Sequence, residues 1–213
     1  DDRHTDSTTL IRGFFGVNTG GKVVNLTFDN IEFVNSHSGF VSSNLSAVPS
    51  ISRSKFINCK FINPTPLPIG TSIGVSGSEK IVPYALVGLN HAEHVLIDNC
   101  SMEYSFHGMI AYQDDNVLPF RNNNITVSNC RVVNSIDSSI YYYASYSTMY
   151  NNHVINPGKD GLKINTTLLS LSERNKIIGN TVVGAPAQHQ PDGSSLVVMT
   201  GGNNICSNNI FNI

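Results

Sequence analysis

The chain has 213 residues, enough for one sizeable domain with a buried core. Its net charge of −2, with only 13% of residues charged, leaves no basic field for collecting nucleic acid. Asn and Ser together make up roughly a quarter of the residues, so amides and hydroxyls must supply most of the polar surface, and no apolar run approaches the ~18 residues of a membrane-spanning helix.

Read from the N-terminus, the first clear element is Leu26 to Phe33, in which apolar Phe28 and Phe33 flank Asn30. A six-residue pattern starts here: apolar, variable, Asn, small or apolar, variable, apolar. It returns as Phe56–Phe61 around Asn58, Ile97–Met102 around Asn99, Val127–Val132 around Asn129 and Met149–Val154 around Asn151. Two more copies are read as Ile178–Val183 around Asn180 and Cys206–Phe211 around Asn208. Successive Asn residues are 28, 41, 30, 22, 29 and 28 apart. Apolar residues alternate on both sides of each Asn, which is the period of a strand rather than of a helix. Asn tolerates the left-handed backbone of a sharp corner, and its amide can bond to the Asn one repeat away. Each repeat is therefore one coil of a solenoid, and the chain is predicted to be all-β, a right-handed parallel β-helix of about seven coils.

The residue after each Asn is expected to point inward. It is Ile31, Cys59, Cys100, Cys130, Asn152, Thr181 and Asn209, which stacks three thiols in one interior column. Free Cys packs as a small hydrophobe, and parallel stacking does not supply disulfide geometry. The spacings do not resemble a zinc site.

A second strand follows each corner after a Gly or Ser: Gly39–Ser42, Gly108–Tyr112, Ser139–Tyr143, Gly161–Asn165 and Ser195–Val198. Between the second and third copies, residues 64–83 hold four prolines and several glycines, and read as a loop protruding from the solenoid flank. Apart from that loop, residues 1–213 read as a single domain. The end at Asn212-Ile213 follows a repeat with no polar cap. An uncapped C-terminal end of this kind is expected of a fragment of a longer chain.

In the second strands, Met109, Ala111, Ile140, Tyr142, Leu162, Ile164, Leu196 and Val198 are assigned inward. Ile110, Tyr112, Tyr141, Tyr143, Lys163, Asn165, Val197 and Met199 then form an outward stripe. Tyr112, Tyr141, Tyr143, Lys163 and Asn165 are candidate substrate-binding residues, because aromatic faces pack on sugar C–H surfaces while amides and amines bond hydroxyls. The same stripe reads equally as a subunit interface, with a homotrimer as the assembly. At the start of the strand stand His107, Asp137, Asp160 and Asp192 on successive coils, the candidates for catalysis. Coils ~5 Å apart would bring Asp137 and Asp160 to the separation used by retaining glycosidases, and Asp137 and Asp192 to that of inverting ones. Each Asp also reads as an ordinary turn residue capping local N–H groups. Asp114 and Asp115 read either as a solvated turn or as half of a Ca²⁺ site, and no other cofactor or metal is indicated.

The Asn column, the adjacent Cys column and the Asp160-Gly161-Leu162-Lys163-Ile164 strand start resemble the right-handed β-helix superfamily of pectate lyases, polygalacturonases and phage tailspikes, over roughly residues 23–213. Gln113-Asp114-Asp115 and His107-Gly108 echo polygalacturonase motifs, but in the wrong order and without their companions. The low charge and Asn/Ser richness are most similar to a tailspike or phage depolymerase. This resemblance implies a protein that binds and degrades a cell-surface polysaccharide, as hydrolase or lyase, at an extracellular or virion surface. A non-catalytic glycan-binding adhesin and a trimeric structural shaft are the alternatives.

Overall fold

The computed structural model describes residues 13–17, 21–34, 38–42, 49–62, 86–105, 108–112, 122–165, 172–184 and 197–212. The Pro-rich stretch 64–83 lies outside the described residues. Every described strand pairing is parallel, and no helix occurs among the described residues. The strands form three sheets running along the solenoid, two of seven strands and one of ten. Each coil contributes to each sheet in turn. The first sheet holds Gly13–Val17, Ser38–Ser42, Val87–Asn90, Met109–Tyr112, Ile140–Tyr142, Leu162–Ile164 and Val197–Met199. The chain then bends through the ten-stranded sheet, turns a tight corner, and enters the third sheet at strands such as Lys60–Ile62 and Arg131–Val133.

The corner explains the sequence pattern. Asn30, Asn58, Asn99, Asn129, Asn151 and Asn208 all take left-handed backbone, with φ between 51° and 56°. Their amides link coils on the outside: Asn99 donates to Asn58 (2.8 Å) and Asn151 to Asn129 (2.8 Å). Asn58 and Asn129 donate instead to the carboxylates of Asp29 (2.9 Å) and Asp98 (2.7 Å). The ladder is thus part amide, part carboxylate.

One copy is shifted by a residue. In the sixth coil the left-handed corner is Gly179 (φ 66°), and Asn180 is the fully buried residue after it. Thr181 is half-buried and begins the next strand, Thr181–Val183, rather than pointing inward. The register requires this, because Ile177 stacks on Met149 and Val182 on Val154. The interior column therefore runs Ile31, Cys59, Cys100, Cys130, Asn152, Asn180, Asn209. Its thiols are free and buried. Its amides form a second, internal ladder. Asn152 Nδ2 and backbone N donate to Asn180 Oδ1 (2.9 and 2.8 Å), and Asn180 does the same to Asn209 Oδ1 (2.9 and 2.8 Å).

The core is a stack of like residues. Phe28 and Phe56 lie nearly parallel with centroids 5.0 Å apart, and Phe40 packs tilted against both. The corresponding column in the third sheet is Phe33, Phe61, Met102, Val132, Val154 and Val182, all buried. Burying a large apolar side chain is worth about 1.5–3 kcal/mol, and in a solenoid that gain recurs with each added coil.

Candidate functional site

The outward stripe forms where two strands of the first sheet pair. Ile140–Tyr142 and Leu162–Ile164 are in register, with Tyr141 opposite Lys163. Alternation sends Ile140, Tyr142, Leu162 and Ile164 into the core, as expected. Tyr141, Tyr143, Lys163 and Asn165 lie half-buried on the outside. The Tyr141 and Tyr143 rings pack against each other, centroids 5.1 Å apart and tilted by 49°. The backbone N–H of Asn165 donates to Tyr142 O (2.9 Å), which sets the Asn165 side chain over the two phenols. Its Nδ2 donates to both Tyr141 Oη (3.2 Å) and Tyr143 Oη (3.1 Å). Lys163 Nζ sits 5.1 Å from the Tyr141 ring centre, a cation over a π face.

Lys163 is anchored from behind. Its ammonium donates to Asp160 Oδ2 at 2.9 Å, and the Asp160 side chain is 3% exposed. Asp160 also accepts from Ser138 Oγ (3.2 Å). Ser138 in turn faces Asp137, with backbone N 2.6 Å and Oγ 3.0 Å from Asp137 Oδ1. The two carboxylates therefore share one hydroxyl oxygen and lie at most about 6 Å apart. A hydroxyl has one proton, so Ser138 donates to one carboxylate at a time. Asp137 is half-buried and caps the Ser138 N–H as a turn aspartate does. Asp160 is a buried ion-pair partner that orients Lys163.

The turn beneath is tightly closed. Ser139 N donates to Asp160 O (2.8 Å) and Lys159 N to Asp137 O (3.4 Å). Gly158 packs so closely that a Cβ there would stand 2.0 Å from Ile136 O.

The structure thus gathers Tyr141, Tyr143, Lys163, Asn165, Asp160 and Asp137 into one network. His107 and Asp192 lie outside the described residues, as do Asp114 and Asp115. Tyr112 ends the described strand Met109–Tyr112, on the coil next to Tyr143, but its side chain lies outside the description. In the last strand the register differs from the alternation read from sequence. Val197 pairs with Leu162 and packs on the core, Val198 pairs with Lys163 on the outside, and Met199 pairs with Ile164. Three consecutive apolar residues carry no alternation, so only the hydrogen-bond register fixes their sides. The correction brings in Thr200, whose Oγ1 donates to Asn165 Oδ1 (3.3 Å). Ser138 and Ser172, whose hydroxyl donates to Asn165 O, were also missed. Placement beside Asp137 in the turn column could have found Ser138, and the corrected register Thr200.

Among the described residues, no group of three or more His, Cys, Asp or Glu side chains gathers as a metal site. No helix among them is long and apolar enough to cross a membrane.

One solved structure with a similar course is the catalytic domain of a GH87 α-1,3-glucanase, D1045A, in complex with nigerose. The likeness covers 93% of this chain and 40% of that one, at 12% identity and a TM-score of 0.35. No curated protein sequence matches the chain. Residues 52–212 match the family model described as "Right handed beta helix region". That match spans most of the chain and agrees with its three parallel sheets, so this chain belongs to the right-handed β-helix family.

Proposed function

We propose that the chain binds a polysaccharide across the outer face built from Tyr141, Tyr143, Lys163 and Asn165. The observation that carries this reading is the bridge from Asn165 to both phenol oxygens, which locks two aromatic rings 5.1 Å apart before any ligand arrives. A preorganised aromatic pair spends little further entropy on binding, and sugars stack on such rings through their C–H faces. Such a ligand fits a protein that works at an extracellular or virion surface.

Cleavage of the bound chain, by hydrolysis or β-elimination, is a second reading. It is favoured by Asp137, a half-exposed carboxylate beside the platform that reaches Asp160 through one hydroxyl. In that reading Asp137 exchanges the proton at the glycosidic oxygen, and Asp160 keeps its pairing with Lys163.

Affinity electrophoresis through gels containing defined polysaccharides tests the first reading. The wild type should be retarded by at least one, and Tyr141→Ala/Tyr143→Ala should lose at least about tenfold in affinity with an unchanged circular dichroism spectrum. Equal retardation of wild type and variant would remove the platform. A reducing-end assay on the retarding glycan tests the second. New ends made by the wild type and not by Asp137→Asn support cleavage, and ultraviolet absorbance of a new C=C bond separates lyase from hydrolase.

A further inference from the structure

We infer that the ten-stranded sheet carries a second carbohydrate site, built on Tyr146, Tyr150, Arg174 and Lys176, for a sugar unit bearing a carboxylate. It stands on a different sheet from the Tyr141/Tyr143 platform and does not depend on it. Strands Thr148–Tyr150 and Lys176–Ile178 pair in register, with Thr148 opposite Lys176 and Tyr150 opposite Ile178. Met149 and Ile177 are buried between them, so Thr148, Tyr150, Lys176 and Ile178 face outward. Two residues before the Thr148–Lys176 pair, Tyr146 and Arg174 stand at the corner of the same two coils. Arg174 Nη1 donates to Tyr146 Oη (3.3 Å), and its guanidinium carbon lies 5.4 Å from the Tyr146 ring centre. Tyr146 is 46% exposed and Tyr150 50%, and Arg174 and Lys176 are exposed too. Coils stand about 4.8 Å apart and alternate strand residues about 6.6 Å apart, so one short oligosaccharide can span all four side chains.

The corner residues are held there against local propensity. Tyr146 and Arg174 both have φ 55°, a left-handed backbone that Asn adopts at lower cost and does adopt at Asn25, Asn124 and Asn203 of the same column. A costly residue kept at an exposed position points to what its side chain does. Stacking on Tyr146 fixes the guanidinium before any ligand arrives and leaves it further N–H donors for an oxyanion. Lys176 adds a second cation two residues on. Among the described residues neither cation forms an ion pair, although half-buried Glu173 is adjacent in sequence. A carboxylate can then bridge the guanidinium fork and the ammonium, while the exposed Tyr150 ring packs on the C–H face of the sugar that carries it. The chain's net charge of −2 disfavours a nucleic acid as the source of the anion.

The probe is trigalacturonate, with maltotriose as the neutral control, titrated into the full chain by calorimetry. The wild type should bind trigalacturonate, and the affinity should fall as salt rises from about 20 mM to 0.5 M. Tyr146→Asn/Arg174→Asn should lose at least about fivefold in affinity, while Tyr141→Ala/Tyr143→Ala keeps it. Asn suits the left-handed corner, so the double Asn variant should melt no lower than the wild type. Lys176→Gln alters an exposed strand position and should also weaken binding, which keeps the test decisive if the double variant melts lower. No binding of trigalacturonate, or binding that Lys176→Gln and the double Asn variant both retain, overturns this site and leaves the platform standing. Loss in Tyr141→Ala/Tyr143→Ala instead moves the acidic sugar to the first sheet and overturns it as well. Maltotriose bound as tightly as trigalacturonate by Tyr141→Ala/Tyr143→Ala overturns the preference for a carboxylate.

Discussion

Asn180 offers the sharpest test of the coil register. A pattern-based alignment puts it at an exposed corner, while the structure puts it in the interior with none of its surface exposed. Its Oδ1 accepts from Asn152 N (2.8 Å) and Asn152 Nδ2 (2.9 Å). Its Nδ2 donates to Met149 O (3.0 Å), Ile178 O (3.2 Å) and Asn209 Oδ1 (2.9 Å). Asn180→Ala strands the buried backbone N–H of Asn152, at about 1–3 kcal/mol, and leaves carbonyls on two coils short of a donor. Asn152 Nδ2 keeps Val127 O as an acceptor (2.9 Å), which limits the loss on that side. The sum is about 3–5 kcal/mol, allowing about 1 kcal/mol for each carbonyl. Asn151→Ala is the control: it is exposed, sits at the true corner with φ 52°, and should cost about 1–2 kcal/mol for Ala in left-handed backbone plus a weak surface bond. Urea or guanidinium midpoints at constant m-value measure both. If Asn180→Ala costs no more than Asn151→Ala, the internal ladder is refuted, and with it the assignment of Gly179 to the corner.

Gly179→Asn should be neutral or stabilising by up to about 1 kcal/mol, because Asn accepts φ 66° and a Cβ there meets only the Tyr150 ring at 3.8 Å; thermal melts would show it. Gly158→Ala should cost at least about 3 kcal/mol or abolish soluble expression, since its Cβ would lie 2.0 Å from Ile136 O and 2.5 Å from Ser135 O, both backbone. The native protein should release thiol signal from exposed Cys206 alone among the four cysteines, with Cys59, Cys100 and Cys130 reacting only on unfolding, as a timed thiol titration with and without denaturant would reveal. Donating its thiol hydrogen toward the Cys130 sulfur, with burial, pushes Cys100 from 9.0 up to about 12, and donation toward the Cys100 sulfur, with burial, pushes Cys59 well up. A raised thiol pKa favours the folded state in full below 9, and that contribution is lost as pH climbs from 9 towards 12. Chemical denaturation across that range should therefore show falling stability, and Cys100→Ala should flatten the fall.

The fold was legible because its signal repeats. Asn30, Asn58, Asn99, Asn129, Asn151 and Asn208 each stand at a left-handed corner where the pattern put them. The one slip among these corners, at Gly179-Asn180, has a local cause. Ile177-Ile178 and Val182-Val183 are apolar pairs, so both registers keep an apolar residue facing the core, and either Gly or Asn can turn the corner. A second corner column went unread although it keeps the same period. Asn25, Arg53, His94, Asn124, Tyr146, Arg174 and Asn203 all have φ between 50° and 60°. Only three are Asn. The others hold a conformation that costs an L-residue about 1–2 kcal/mol, imposed by coil packing rather than chosen by propensity.

The site was less legible, because it occurs once and its key contact crosses a turn. Strand alternation placed Tyr141, Tyr143, Lys163 and Asn165 on one face, since alternation survives any error that leaves the register intact. It could not show that Lys163 reaches back three residues to Asp160, because that approach depends on how Gly161 carries the chain from the turn into the strand. Read as separate residues, Lys163 is a base offered to a ligand and Asp160 is an acid offered to a bond. Read as a pair 2.9 Å apart with the acid buried, they offset each other and leave Asp137 as the half-buried carboxylate of the described network. The chemistry open to this face then follows from the pairing rather than from the inventory. On the proposed reading, recognition comes from the rings and amides, and proton transfer would pass through Asp137.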